Sequence, residues 1–187
     1  AKLDSYSDAE HISIDISGIQ KFIYTIASKN ALRTLRARSF YLEIMMEHII
    51  DTLLERLELS RANLIYSGGG HCYLLLANTQ KTREVLNTFQ KELQSWFLKY
   101  FRTELFVAFG YSVCSGNTFR NVPEGSYANM FRQASAGISK AKLHRYTAEE
   151  IIALNQYRAD DYTRECKVCK RIGQVDEKGV CPLCRKI

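Results

Sequence analysis

Four of the six cysteines lie within the last 22 residues, as Cys166-x-x-Cys169, eleven intervening residues, then Cys181-x-x-Cys184. Two residues between thiols let both sulfurs of a tight turn face one ion, and a second such turn completes a tetrahedron. The spacing therefore predicts a four-thiolate zinc site. A pair of disulfides is the alternative. The opening Ala1-Lys2-Leu3-Asp4 carries no apolar leader, so a reducing, cytoplasmic setting is expected, and that setting disfavours disulfides. Protein fills all four coordination positions, so the site would hold structure rather than catalyse. A Zn(Cys)4 centre is doubly negative, and Lys167, Lys170, Arg171, Arg185 and Lys186 stand close enough in sequence to offset it. Gly173 and Gly179 suit a hairpin between the knuckles, and Pro182 suits the second turn. Cys72 and Cys114 stand alone in apolar runs, as small core residues do.

A second group with chemical potential is Asp15, Ser17 and Gly18 together with the glycine run Gly68, Gly69 and Gly70. A bare glycine turn lets backbone approach a phosphate or a base, with its amides aimed at the anion. A tight hairpin turn is the plainer reading, although three adjacent glycines exceed what a two-residue turn needs. Asp15 alone is more often a loop or capping acid than a ligand. Arg33, Arg36 and Arg38 open a long helical pattern, where cations oppose the dipole; a solvated helix start and a phosphate patch both fit. His48 lies in an apolar stripe and reads as a core residue, whereas His11 and His144 read as surface. His71, at the hairpin, has no carboxylate beside it in sequence to make it a general base.

The elements that must position these groups follow from periodicity. His11–Ile16 alternates like a strand, and Ile19–Ile26 suits a short helix. Ala31–Leu59 repeats apolar residues at helical spacing through Leu35, Leu42, Met45, Met46, Ile49, Leu53 and Leu57. Ala62–Tyr66 and His71–Leu76 flank the glycine turn as a hairpin. Asn78 or Thr79 can cap the next helix, with Val85, Phe89, Leu93, Trp96 and Tyr100 on one face. Leu105–Val113 is nearly all apolar, as in a central strand covered on both sides. Helices over Ser126–Leu143 and Ala148–Arg158 follow, the second opened by the capping box Thr147-Ala-Glu-Glu150. The order strand, helix, strand, strand, helix, strand predicts an α+β, ferredoxin-like palm (βαββαβ) with extra helices and a C-terminal four-cysteine module. The expected division is a palm over residues 1–146 and a helix plus zinc module over residues 147–187.

In a palm, the end of the first strand and the central hairpin meet, and a nucleotidyl transferase places metal-binding acids there. Here only Asp15 is present, with Ser17 two positions on and Gly70-His71 on the hairpin. One carboxylate cannot hold two ions. No catalytic residue is assigned, and phosphoryl transfer by this chain alone is not expected.

Composition agrees with a globular chain. The 187 residues (21.5 kDa) are 46% hydrophobic and 25% charged, with 10 Gly and 2 Pro, which excludes disordered and collagen-like classes. No apolar run is long enough to span a membrane. Twenty-six basic against 20 acidic residues leave +6, which says only that anionic partners are not repelled.

The run DISGIQKFIYTIASKNALRTLRARSFYLE (Asp15 to Glu43) resembles the first palm domain of the large subunit of type III CRISPR effector complexes, subtype III-A rather than III-B. LIYSGGGHCYLLL (Leu64 to Leu76) is similar to that domain's central hairpin, and the CxxC pairs to the zinc module that follows it. The resemblance runs from about His11 to Cys184.

That family's large subunit has an HD nuclease domain that cuts single-stranded DNA, two palms, and a helical C-terminal domain. Its second palm carries a GGDD motif of the GGDEF/cyclase type and joins ATP into cyclic oligoadenylate, an antiviral messenger. Neither an HD pair nor GGDD occurs here. The resemblance thus implies a first palm with its zinc module, a fragment or a split subunit. It implies structural zinc, and ATP with Mg2+ at a site shared between palms, lined here by Asp15, Ser17, Gly18, Gly68, Gly69 and Gly70. Implied partners are the second palm, other type III effector subunits, and guide and target RNA, with no membrane. A scaffold or RNA-contacting role, through Arg33 to Arg38 and the basic knuckles, is the alternative.

Overall fold

The computed structural model describes residues 9–25, 31–156 and 164–187. Alternation in the first strand sends Ile12, Ile14 and Ile16 to one face and His11, Ser13 and Asp15 to the other. The elements are β1 (Ala9–Ser17), α1 (Ile19–Tyr24), α2 (Ala31–Arg56), β2 (Leu64–Gly68), β3 (His71–Ala77), α3 (Gln80–Phe101), β4 (Phe106–Cys114), α4 (Gly116–Phe119), α5 (Ser126–Leu143), α6 (Ala148–Asn155) and α7 (Pro182–Lys186). The strands form one antiparallel sheet in the order β2-β3-β1-β4. This is the predicted split βαβ arrangement.

Helices α2 and α3 cover the isoleucine face. The main core gathers Ile12, Ile14, Ile16, Phe22, the α2 stripe from Leu42 to Leu54, and Leu86, Phe89, Phe97 and Phe101 of α3. Of the five α3 positions named from the sequence, Phe89 is buried, whereas Trp96 and Tyr100 are 38% and 40% exposed. The buried stripe is rotated toward Leu86, Phe97 and Phe101. Thr79 is the cap, its hydroxyl accepting from the Thr82 amide.

The structure corrects one placement. β4 is apolar on both faces, but it is an edge strand rather than a central one. Its two apolar faces are explained by α3 on one side and α5 on the other. Close approach of α5 depends on small residues: Gly137 lies over Gly110, and a Cβ on Gly110 would run into the Ala134 carbonyl. Ala62 and Asn63, expected in the first hairpin strand, instead lie in a 3-10 turn at Arg61–Asn63 that precedes β2, and helices α4 and α7 carry no sequence signal. The predicted end of the last long helix, at Arg158, and Ile26 of the first short one lie outside the described residues.

The knuckles fold back on the palm. Leu183 and Ile187 pack against the main core, and the Arg171 guanidinium pairs with Glu104 just before β4. No described helix is long and apolar enough to cross a membrane.

Candidate functional site

The four knuckle cysteines converge. Their sulfurs all lie within 4.8 Å of one another, and Cys169 and Cys181 Sγ stand 3.7 Å apart. Four sulfurs at about 2.3 Å from one ion have edges of about 3.8 Å, so the spacing fits tetrahedral zinc. It is far longer than a disulfide, and every cysteine is free. The local chain builds the cage. Lys170 takes a left-handed φ of 62° at the first knuckle, and its amide donates to the Cys166 carbonyl. The Cys181 amide donates to Cys166 Sγ at 3.3 Å. Pro182 begins α7, where its missing N–H costs nothing, and Cys181 caps that helix. Hydrogen bonds from the Cys169 and Cys184 thiols hold the Cys181 thiol well below the usual thiol range. That is the protonation state a metal ligand needs.

The second centre lies on the other face of the sheet. The antiparallel register sets Asp15 opposite His71, and the Ile16 amide donates to the Gly70 carbonyl at 2.8 Å. The end of β1 and the glycine turn are therefore adjacent, as expected for a palm. Asp15 is fully engaged: Oδ1 lies 3.1 Å from His71 Nδ1, and Oδ2 lies 2.8 Å from Lys142 Nζ and 3.2 Å from Ser17 Oγ. Burial acts to raise this carboxyl, but the hydrogen bonds and charges of His71 and Lys142 prevail and hold it at about 2. His71 Nε2 meets Ser13 Oγ at 3.0 Å.

Ser13, His71 and Asp15 thus repeat the connectivity of a nucleophile, a base and an orienting acid. Ser13 is 2% exposed, so no substrate reaches its hydroxyl, and the row is an internal clamp. Nor does a two-metal centre fit. Both oxygens of Asp15 are already engaged, one by His71 and the other by the Lys142 ammonium, and His71 stands where a second acid would be needed.

Several sequence expectations change here. His71 does have a carboxylate partner, supplied across the sheet. His11 is fully buried rather than on the surface, because α5 lays Phe131 over it at 4.8 Å between ring centroids. His48 is exposed, just beyond the buried stripe of α2. His144 is exposed, as expected. Arg38 leaves the basic cluster: it is 2% exposed, donates to the Phe22 and Thr25 carbonyls, lies over the Phe22 ring and reaches Cys184 Sγ at 3.4 Å. Arg33 and Arg36 stay exposed. Lys142, at the last turn of α5, carries no signal in the sequence, since only the tertiary fold brings it to Asp15.

The six proposed nucleotide-lining residues are brought together at one end of the sheet, and their conformations differ. Gly69 has φ 61°, and a side chain there would meet nothing within 4 Å, so the turn opens outward at this residue. Gly18 has φ 92°, and a Cβ there would strike the Glu104 carbonyl, so its glycine is explained by packing.

The comparisons with known proteins concern this same assembly. A family model described as Csm1 subunit domain B matches residues 10–157. The chain is 46% identical over 177 residues to the CRISPR system single-strand-specific deoxyribonuclease Cas10/Csm1 (subtype III-A) of Enterococcus italicus, covering 94% of this chain and 23% of that protein. It is 43% identical over 190 residues to the protein of the same description from Mycobacterium tuberculosis, covering 94% and 24%. The chain therefore spans about a quarter of the length of these relatives. Among solved structures, an apo Csm1-Csm4 cassette superposes with TM-score 0.70 at 30% identity, over 82% of this chain and 21% of that one. A Csm1-Csm4 cassette in complex with one ATP gives 0.69 at 27% identity, over 81% and 22%. One in complex with cA4 gives 0.70 at 27% identity, over 89% and 24%.

Proposed function

The chain belongs to the Csm1 subunit domain B family, and from that membership we propose that it is the first palm of a type III-A CRISPR effector large subunit. It contributes one half of an ATP site for cyclic oligoadenylate synthesis inside the cell and is not catalytic alone. Residues 1–146 form the palm and residues 147–187 the helix and zinc module. The cysteines Cys166, Cys169, Cys181 and Cys184 hold Zn2+ as a structural ion. Asp15, Ser17, Gly18, Gly68, Gly69 and Gly70 face the nucleotide. The Mg2+ that accompanies ATP is held by acids outside this chain, on the second palm.

The observation that carries this reading is the pairing of an open glycine tip at Gly69 with a clamped, metal-incompetent Asp15 beside it. A backbone donor site without catalytic acids is what a half-site contributed to another palm requires. Similar cassettes in complex with one ATP and with cA4 support the ligand class.

The test is calorimetric titration of ATP with magnesium into the zinc-loaded chain, alone and with the second palm. Gly69→Asn tolerates the left-handed φ while filling the open tip. Binding that this variant weakens at least tenfold supports the reading. Unchanged binding, or unchanged oligoadenylate synthesis by a full subunit carrying the variant, sinks it.

A second reading makes the chain a scaffold or RNA-contacting piece. Its support is that the solved neighbours include cassettes of Csm1 with Csm4. Guide and target RNA remain candidate partners, contacted by Arg33, Arg36 and the knuckle cations rather than by Arg38.

A further inference from the structure

Between the C-terminal half of α3 and the zinc module lies a cavity of about 490 Å³, remote in sequence from the glycine hairpin. Its walls carry three aromatic rings, Tyr41, Trp96 and Tyr100, and no carboxylate lines it among the described residues; the one anionic group on the wall is Cys181 of the zinc cage. Lys99, Arg102, Arg171 and Lys186 all face it. The zinc cage accounts for only part of that charge, because Arg171 is paired with Glu104 and lies near the Cys169 and Cys181 thiols. Lys99, Arg102 and Lys186 make no ion pair among the described residues.

Two ammonium groups from separate elements converge on one ring. Lys99 of α3 lies 5.5 Å and Lys186 of α7 lies 5.2 Å from the Tyr100 centroid. Like charges drawn to one ring with no acid between them repel, and an anion placed there relieves the repulsion. Arg102, which lines the cavity, is held at φ 53° and ψ −120°, a strained conformation for a residue with a side chain.

We infer that this cavity is a second nucleotide-unit site, in which Trp96 stacks a base while Lys99, Arg102 and Lys186 hold its phosphate. Flat rings beside cations are the lining that single-stranded nucleic acid uses, whereas an acidic peptide would use the cations and leave the rings idle. The observations favour a single-stranded RNA segment passing over the cavity. This deepens the RNA-contacting reading and is independent of the ATP half-site.

Trp96 is the sole tryptophan of the chain and lines this cavity, so its fluorescence responds to a ligand held there. The zinc-loaded chain is titrated with a hexauridylate, with free UMP and with polyglutamate. The expected result is saturable quenching by the hexamer, weakening as salt rises with a log–log slope of about −0.7 per phosphate held. The double variant Lys99→Glu, Lys186→Glu, both exposed positions, should bind at least tenfold more weakly with a flatter salt slope and an unchanged circular dichroism spectrum. UMP binding as tightly as the hexamer makes a free nucleotide the source and also supports the site. No response of Trp96 to hexamer or UMP, an unaffected charge-reversed variant, or polyglutamate matching the hexamer overturns the inference. Gly69→Asn should leave this titration unchanged, so failure here and failure at the hairpin are separate results.

Discussion

The carboxylate of Asp15 on β1 and the imidazole of His71 on β3 meet directly across the antiparallel register, Oδ1 to Nδ1 at 3.1 Å. With Lys142 on the other oxygen, this pair closes the end of the sheet where a catalytic palm would keep its metal acids. The arrangement has consequences for stability that do not depend on any ligand.

Asp15 carries stability with a defined pH window. Its folded value of about 2 lies below the ordinary 3.8. The contribution is therefore fully present above pH ~4 and is lost as pH falls through about 2. The difference corresponds to about 2 kcal/mol. Asp15→Asn should be less stable by that amount in urea denaturation at pH 7. The gap between wild type and variant should shrink below pH ~4, and a gap independent of pH would show that the charge is not what matters.

His11 should also lose stability as pH falls, but through burial rather than through a partner. Burial, and then the charge of His71, push its value below 6.5, so the unfolded chain takes a proton that the folded chain refuses. Stability is lost as pH falls below 6.5. Neither ring nitrogen has a hydrogen-bond partner among the described residues, while Tyr73 and Phe131 pack around the ring. His11→Phe should be neutral or stabilising by about 1 kcal/mol at pH 7, with the advantage growing at pH 5. Destabilisation at both pH values would reveal a polar role for the ring.

Arg38 ties α1, α2 and the last knuckle together, and its neighbours in the arginine triplet do not. Arg38→Met strands the Phe22 and Thr25 carbonyls and should lower stability by about 2–4 kcal/mol. Arg33→Ala and Arg36→Ala should stay within about 0.5 kcal/mol. Equal costs across the three would contradict the burial difference.

Zinc removal should separate the knuckles from the palm without unfolding it. After chelation, amide exchange should accelerate from Cys166 to Lys186, while β1 and β4 amides remain protected. The palm should weaken by about 1–2 kcal/mol, since Leu183 and Ile187 leave the main core. Loss of protection in β1 together with the knuckles would mean that palm and module fold as one unit.

Local pattern in the sequence was enough to determine the order of the six palm elements, the glycine turn and the four-cysteine cage. Strand alternation, helical spacing and knuckle spacing are short-range properties, carried by residues a few positions apart. What it could not determine is which face of each element is covered, and by what. His11 reads as surface until α5 lies over that face of β1, which buries it and brings Lys142 to Asp15. The arginine triplet reads as one patch until the fold turns Arg38 inward. His71 lacks an acid along the chain but gains one from a strand 56 residues away. The cavity beside Trp96 exists only where α3 and the knuckles meet. Contacts of this kind depend on the packing of distant segments, and pairwise charge and burial are decided there rather than in any local run.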